Sequence, residues 1–351
     1  MSVRRAASRV FSLRQKMWIK AQMYQGKTLL LRAFAGHGWL ASLYYCLFDR
    51  SFDREHLAVL RGQLAFKASN LHPADSSPLL RRNVHRLEKG LLMRPQRPVF
   101  AEDYIAETVD IFVKASVQPD FSVTELGWAH DVLQRYFSTV NHTALVGAAY
   151  QHFQTAQVPA GGTKVPFSHQ QLAGTTVTYA DFLQLCQRRH SVRWFDGRAP
   201  ERSDIVRAIA AAAQAPSACN RQPFSFRLFY GQQAHAIAEL AMGTVGFASN
   251  IPALLVVVGD LSAYKETRDR HLIYIDASLA AMQLMLALET LGLASCPINW
   301  PDIEVREARM QKALELDEFE RPVMLIAAGY ADPAGLVAYS EKKPAELLLH
   351  D

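Results

Sequence analysis

The sequence predicts an α+β fold in two parts: a mostly α-helical N-terminal region, residues 1–160, and a C-terminal domain, residues 178–351, with a mixed β-sheet flanked by helices. Three observations carry this expectation. Apolar residues recur at helical spacing through the front half. The back half holds ALLVVVGD and VMLIAAGY, two runs of strand length that are apolar on both faces, as strands covered by helices on both sides must be. Between them lies HLIYIDASLAAMQLMLALETLGL, a helix-length stretch that is hydrophobic nearly all round.

At 351 residues, half of them hydrophobic, the chain is long enough for a sizeable core and for two structural units. Its formal charge of +5 is unevenly placed. Residues 1–48 carry Arg4, Arg5, Arg9, Arg14, Lys16, Lys20, Lys27 and Arg32, and the first acid is Asp49, so a basic arm precedes an otherwise balanced chain. Cys46, Cys186, Cys219 and Cys296 are scattered without CxxC or Cys/His spacing. That argues against a disulfide framework or a zinc site and fits a reducing cytoplasm. A signal peptide is not expected, because the basic stretch is too long and no small-residue cleavage site follows a clean apolar run.

Within the arm, Val10, Leu13, Met17 and Trp18 recur at helical spacing, with Ser12 and Lys16 toward the other side and Ile19 interrupting it. Two readings fit: an interfacial helix lying on an anionic membrane surface, or a helix docked on the protein's own core. Nucleic acid ranks below lipid as a partner, since aromatic interleaving and a known nucleic-acid fold are missing. Ala33 to Phe48 is apolar but shorter than the ~20 residues a spanning helix needs, and reads as a packed helix. REHLAVLRGQLAFKAS, SPLLRRNVHRLEKGLLM and AEDYIAETVDIFVKAS follow as helices. The charged segment HRLEKGLLMRP reads as a solvated helix end with Glu88 and Lys89 facing water.

Glycine, proline and threonine accumulate from Val158 to Thr178, where periodicity vanishes and the boundary is placed. Helix YADFLQLCQRRH opens the second part. Ser203 is expected to cap SDIVRAIAAAAQA, which Pro216 ends. SFRLFY reads as a strand by the alternation of Phe226, Leu228 and Tyr230, and Gly292 is a natural residue to close the long apolar helix. That helix must bury itself in a core or against another copy of the protein.

Four segments hold the chemistry. RRHSVRWFD, Arg188 to Asp196, concentrates three arginines, a histidine and a serine, the donors that a phosphate or polyol chain requires, although such a run also suits a solvated face. APSACNRQPF, Ala215 to Phe224, offers Ser217, Asn220, Arg221 and Gln222 on an irregular loop. Its amides suit a ligand with alternating donors and acceptors, or a turn that satisfies its own backbone. In GLASCPINW, Pro297 holds an extended backbone with N–H groups at Asn299 and Trp300 available, or forms a plain helix-to-strand connection. YSEKKPAELL carries the basic pair Lys342 and Lys343.

Taken in order, RRHSVRWFD, the alanine helix, APSACNRQPF, SNIPALLVVVGD, DASLAAMQLMLALETLGL, SCPINW and PVMLIAAGYADP resemble the FMN-dependent nitroreductase family over residues 180–348, about half the chain. The resemblance implies a nitroreductase-like sheet, a domain-entwined homodimer and bound FMN. Arg189, His190, Ser191 and Arg193 would then hold the FMN phosphate and ribityl hydroxyls, with Arg188 a further candidate. Pro216, Ser217, Ala218, Asn220 and Gln222 would reach FMN from the other subunit. Pro297, Ile298, Asn299 and Trp300 would line the isoalloxazine ring, the main-chain N–H of Asn299 facing flavin N5, and Lys342 or Lys343 would complete the phosphate site. Many relatives have glycine where Trp300 stands, so the indole is expected to narrow the acceptor pocket.

The activity implied is ping-pong hydride transfer from NADH or NADPH through flavin N5 to a small-molecule acceptor of nitroaromatic, quinone or enone type. No acid–base dyad is needed, and His190 reads as a cofactor contact. Two other functions stay open: a non-catalytic flavin-binding or partner-binding scaffold, and a flavin reaction of another type, dehalogenation or flavin fragmentation. The HRxEKGL segment of the helical extension resembles longer relatives associated with surface-polysaccharide clusters. The location expected is cytoplasmic, or peripheral at the inner membrane face through residues 1–48.

Overall fold

The computed structural model describes residues 12–70, 74–156, 158 and 161–350. Its contacts divide the chain into two compact units, Met1–His56 and Leu57–Asp351. Arg4, Arg5, Arg9 and Val10 of the basic arm lie outside the described residues.

In the first unit, helix α1 (Leu13–Phe34) begins at a capping box between Ser12 and Gln15, and α2 (Gly38–Leu47) follows. Phe34, Tyr44 and Phe48 form a ring cluster with centroids 5.6–5.9 Å apart. The packed helix expected here is only partly so: Tyr44 is buried, whereas Trp39, Leu43, Leu47 and Phe48 are exposed.

The second unit starts within α3 (Asp53–Ser69) and continues with α4 (Pro78–Leu91), α5 (Ile105–Ser116), α6 (Val123–Thr139) and α7 (Ala144–Phe153). Ser77 caps α4 by accepting from Leu80 N, with Pro78 in the first turn where its missing N–H costs nothing. Leu80, Val84 and Leu87 of α4, Ile105 and Phe112 of α5, and Leu133 and Tyr136 of α6 are fully or almost fully buried together in one helical core. Gly90 is fixed by packing, because a Cβ there would stand 2.2 Å from the Phe100 ring. Past α7, the buried Asp131 carboxylate accepts the backbone N–H groups of Gly161, Gly162, Thr163 and Lys164 at 2.8–3.3 Å, tying the glycine-rich stretch to α6.

The remainder runs α8 (Tyr179–Arg188), α9 (Arg202–Ala212), β1 (Phe224–Tyr230), α10 (Gly231–Ala238), β2 (Ala253–Asp260), α11 (Leu272–Thr290), β3 (Ala294–Asn299), α12 (Glu304–Leu314) and β4 (Glu320–Gly329). The sheet order is β1-β2-β4-β3 and each neighbouring pair is antiparallel. The mixed sheet expected from the sequence is, among the described residues, an antiparallel four-stranded sheet, with one isolated parallel bridge from Ser191 to Ser295 of β3. Along β2 the side chains alternate: Leu254, Val256 and Val258 enter one core, Leu255 and Val257 the other. Helices α9 and α11 cover the second face, and residues of α10 and α12 pack in the first. Both faces are thus buried, as the apolar strand runs predicted.

One expectation is corrected. Ser203 is not the cap of α9, which starts at Arg202 with Glu201 at the N-cap and no side-chain cap bond. Gly292 closes α11 as expected, at φ +74°. Among the described residues, the stretch ending in α11, Thr267–Thr290, is the one with the length and hydropathy of a membrane span, and its Ala277, Ala280, Ala281 and Leu284 lie in the sheet core.

Candidate functional site

The segment after α8 is built onto the sheet edge. Val192 N donates to Ser295 O, Asp196 N to Tyr330 O and Asp332 N to Trp194 O, each at 3.0 Å. Asn250 clamps Phe195 from both sides, its Oδ1 accepting from Phe195 N and its Nδ2 donating to Phe195 O. These bonds fix the backbone, so the side chains between them project from a rigid strand-like base.

The three arginines of this run have separate fates. Arg188 turns to α11 and pairs with Glu289 at 2.8 Å. Arg189 and Arg193 line a cavity of about 740 Å³ with His190, Ser191, Tyr339 and Lys342. Nε and Nη1 of Arg189 are fully buried and have no hydrogen-bond partner. A buried donor left unsatisfied costs about 1–3 kcal/mol, so this guanidinium is held ready for an acceptor that the chain does not itself supply. His190 Nδ1 lies 3.0 Å from the Arg188 carbonyl. A carbonyl only accepts, so Nδ1 carries the proton and Nε2 is left for another contact. Burial pushes the Cys296 thiol up, against the opposing pull of Arg193 and Arg189, which keeps it neutral. Lys342 lies at this cavity, while Lys343 is exposed and is not among the lining residues.

The Pro216–Gln222 loop is held elsewhere. Asp276 of α11 accepts Ala218 N at 2.8 Å, and burial raises the pKa of this carboxyl despite the Ala218 bond and the Arg221 charge. Ser217 Oγ accepts Gln222 N. Gln222, far from being free, donates Nε2 to Ala213 O at 2.8 Å and accepts from Arg81 through Oε1 at 3.0 Å. It lines a second cavity of about 380 Å³ with Arg81, Arg221, Phe224 and Phe226. Within one chain, then, Gln222 lines a different cavity from Arg189, His190, Ser191, Arg193 and Lys342, and Pro216, Ser217, Ala218 and Asn220 line neither of the two.

Pro297, Ile298 and Asn299 form the end of β3, an edge strand paired with β4. Asn299 is exposed and Ile298 buried. Trp300 is 7% exposed within the single chain and packs in the sheet core. Its Nε1 donates to the buried Glu307, whose carboxylate lies 3.3 Å from Arg321 Nε. The physical reason is that Glu307, seven residues on in α12, offers a buried acceptor that an indole N–H satisfies.

Sequence reasoning missed Arg81 and Glu125, which carry much of the polar order around the second cavity. It also placed Glu88 in water, whereas Glu88 is half-buried and accepts the Trp128 indole N–H at 3.0 Å. Lys89 is exposed as expected.

The sequence model of the Nitroreductase family matches residues 186–245 and 229–330. An Archaeoglobus fulgidus protein named as an NADH dehydrogenase/NAD(P)H nitroreductase is 30% identical over 134 residues, 38% of this chain and 74% of the relative. The chain belongs to the nitroreductase family. A Bacillus subtilis (strain 168) protein named as an NAD(P)H nitroreductase is 27% identical over 184 residues, covering 42% of this chain and 89% of the other. A solved structure described as a nitroreductase in complex with FMN, from Desulfovibrio desulfuricans, is 24% identical with a TM-score of 0.43, over 50% of this chain and 98% of that one. The nitroreductase match falls on the sheet, the two cavity-lining segments and α11, and leaves the helices before residue 180 outside it.

Proposed function

We propose that residues 178–351 form an FMN-dependent NAD(P)H oxidoreductase that works as a homodimer, with residues 1–160 as its helical extension. The observation that carries the reading is Arg189, whose buried, unpartnered Nε and Nη1 accompany Arg193, His190, Ser191 and Lys342 around one cavity. Such a donor set fits a phosphate ester, because several donors converge on one cluster of charged oxygens. FMN, when bound, would supply hydride-transfer redox chemistry between NADH or NADPH and an oxidised acceptor of nitroaromatic, quinone or enone type. The chain's part would be to bind and orient: Arg189 and Arg193 would hold the phosphate, Ser191 and His190 Nε2 the ribityl side, and the end of β3 with Asn299 N–H the ring. Pro216, Ser217, Ala218 and Asn220 belong to the partner's site, with Gln222 bracing their loop.

A second copy is supported by α11. Ile275, Leu279 and Met282, spaced at i, i+4 and i+7, are 53%, 45% and 40% exposed, an apolar stripe suited to burial against another subunit. For residues 1–48 we propose contact with anionic lipid at the inner membrane face: Trp18 and Trp39 are exposed in a unit that carries Arg14, Lys27 and Arg32 and no acid before Asp49.

The test is the absorbance of the purified protein. A yellow protein that releases FMN on acid extraction, bleaches with NADH or NADPH and recolours with menadione is expected. Colour without bleaching would mark a flavin-binding scaffold, and a colourless protein that takes up no added FMN would overturn the reading.

A further inference from the structure

We infer that the helical region positions the Pro216–Gln222 loop for cofactor binding, with Arg81 of α4 as the positioning residue. This rests on the flavin reading above, in which that loop reaches the site of the partner subunit. The loop's own geometry demands outside support. Cys219, Asn220 and Gln222 have φ of 54°, 52° and 51°, and none is glycine. Side chains disfavour that region sterically, so such a loop keeps its shape only where its neighbours over-determine it.

The sheet domain supplies part of the support through Asp276, Ser217 and Ala213. The rest comes from one guanidinium of the helical region. Arg81 Nε donates to the Asn220 carbonyl at 2.8 Å, and Nη2 donates to Gln222 Oε1 at 3.0 Å. Its third nitrogen, Nη1, donates to Glu125 Oε2 at 3.0 Å. Glu125 is itself pinned: its side chain is 3% exposed, Oε2 accepts Ser76 Oγ at 2.7 Å and Oε1 accepts Ser77 N at 3.0 Å. The fork is therefore fixed at its root on α4 and α6 and closes on two of the loop's three left-handed residues, Asn220 and Gln222. A planar guanidinium does this with little loss of freedom, whereas an ammonium cannot span three acceptors in one plane.

The arrangement also divides labour within the loop. Arg81 takes the backbone carbonyl of Asn220, while the side-chain amide of Asn220 makes no hydrogen bond among the described residues. A ligand-reading group is thus left open on a braced backbone. Gln222, with both ends of its amide engaged, is the brace.

The experiment uses the full chain and FMN. Arg81→Met should raise the FMN dissociation constant about tenfold, the loss of roughly one hydrogen bond's worth of preorganisation. It should also alter the visible circular dichroism of bound flavin at temperatures where the far-ultraviolet spectrum stays wild-type. Arg86→Met is the control, removing a guanidinium that instead stacks 3.6 Å from the Tyr104 ring centroid, and should leave both readouts within about twofold of wild type. Combining Arg81→Met with Gln222→Met should give less than the product of the single effects, as expected of two ends of one contact. Should Arg81→Met not fold, Arg81→Lys keeps the charge beside Glu125 without the fork and is read in the same way. Wild-type affinity and flavin dichroism in these Arg81 variants would overturn the inference while leaving the flavin reading intact. A wild-type chain that binds no FMN would overturn both.

Discussion

Arg189 separates the empty and flavin-bound proteins by the sign of one substitution. In the chain alone, its Nε and Nη1 are buried without acceptors, a situation that costs about 1–3 kcal/mol in stability. Arg189→Met keeps most of the aliphatic stem and removes the stranded donors. The flavin-free protein should therefore gain about 1 kcal/mol, a rise of roughly 2 °C in its unfolding midpoint. With FMN present the sign reverses. Two charge-assisted hydrogen bonds to phosphate are lost, together worth about 3 kcal/mol, so the FMN dissociation constant should rise on the order of 100-fold. The stabilisation that saturating FMN confers should shrink accordingly. Thermal unfolding of wild type and variant, each stripped of flavin and then titrated with FMN, reads both effects in one instrument. An Arg189→Met protein that is less stable without flavin, or that binds FMN as wild type does, would refute the assignment of Arg189 to an external anion.

Three further outcomes follow from the same structure. Leu279→Glu, in the exposed stripe of α11, should convert a dimer to a monomer by light scattering and remove FMN binding with it; a monomer that keeps wild-type affinity would sink the shared-site reading. Asp131 has burial raising its pKa, but the backbone N–H groups of Lys164 and Gly162, then His130 and Gly161, outweigh that and hold it below the usual carboxylate range. A folded pKa below the unfolded value of about 3.9 means stability that is present above that value and lost as pH falls through the folded one. Asp131→Asn should then be about 1–2 kcal/mol less stable than wild type in urea at pH 7, with the gap closing toward pH 3; a constant gap would contradict the carboxylate's role. Removal of residues 1–48 should abolish co-sedimentation with vesicles rich in anionic lipid while leaving FMN affinity unchanged, and retained sedimentation would exclude the N-terminal unit as the contact.

The fold was legible in the sequence wherever periodicity was strong. ALLVVVGD and VMLIAAGY became the two central strands β2 and β4, and the all-round apolar stretch became α11 against them. The candidate site was legible as a set of segments and not as contacts. Nothing in RRHSVRWFD distinguishes Arg188 from Arg189; only the approach of Glu289 from α11 commits one to an ion pair and leaves the other facing a cavity. Trp300 shows the same limit, since its direction is set by Glu307 and Arg321, a buried charge pair that no pattern around SCPINW announces. Glu88 was read as solvated because a charged helix end usually is, and Trp128, forty residues later, supplies the partner. Arg81 carried no signal at all in its run of basic residues. Its role depends on Glu125 and on a loop that begins more than 130 residues downstream.

The placement of the two cavities bears on what kind of site this can be. A phosphate suits the donors of Arg189, Arg193 and Lys342, and these line one cavity. An amide-reading group needs a free head on a fixed backbone, and Asn220, its carbonyl held by Arg81 of α4, meets that description without lining the arginine cavity. Moving the loop away from Arg81 and Asp276 would give up three hydrogen bonds, two of them from a guanidinium and one to a buried carboxylate. At about 1–3 kcal/mol each, that rearrangement would cost on the order of 5 kcal/mol before any ligand contact was gained. Bringing up a second copy through the apolar stripe of α11 requires no such unfastening and covers exposed hydrophobic surface in the same step. On the proposed dimer, the stiffer Arg81 makes the loop within its own chain, the better that loop is prepared to meet a cofactor held by the partner.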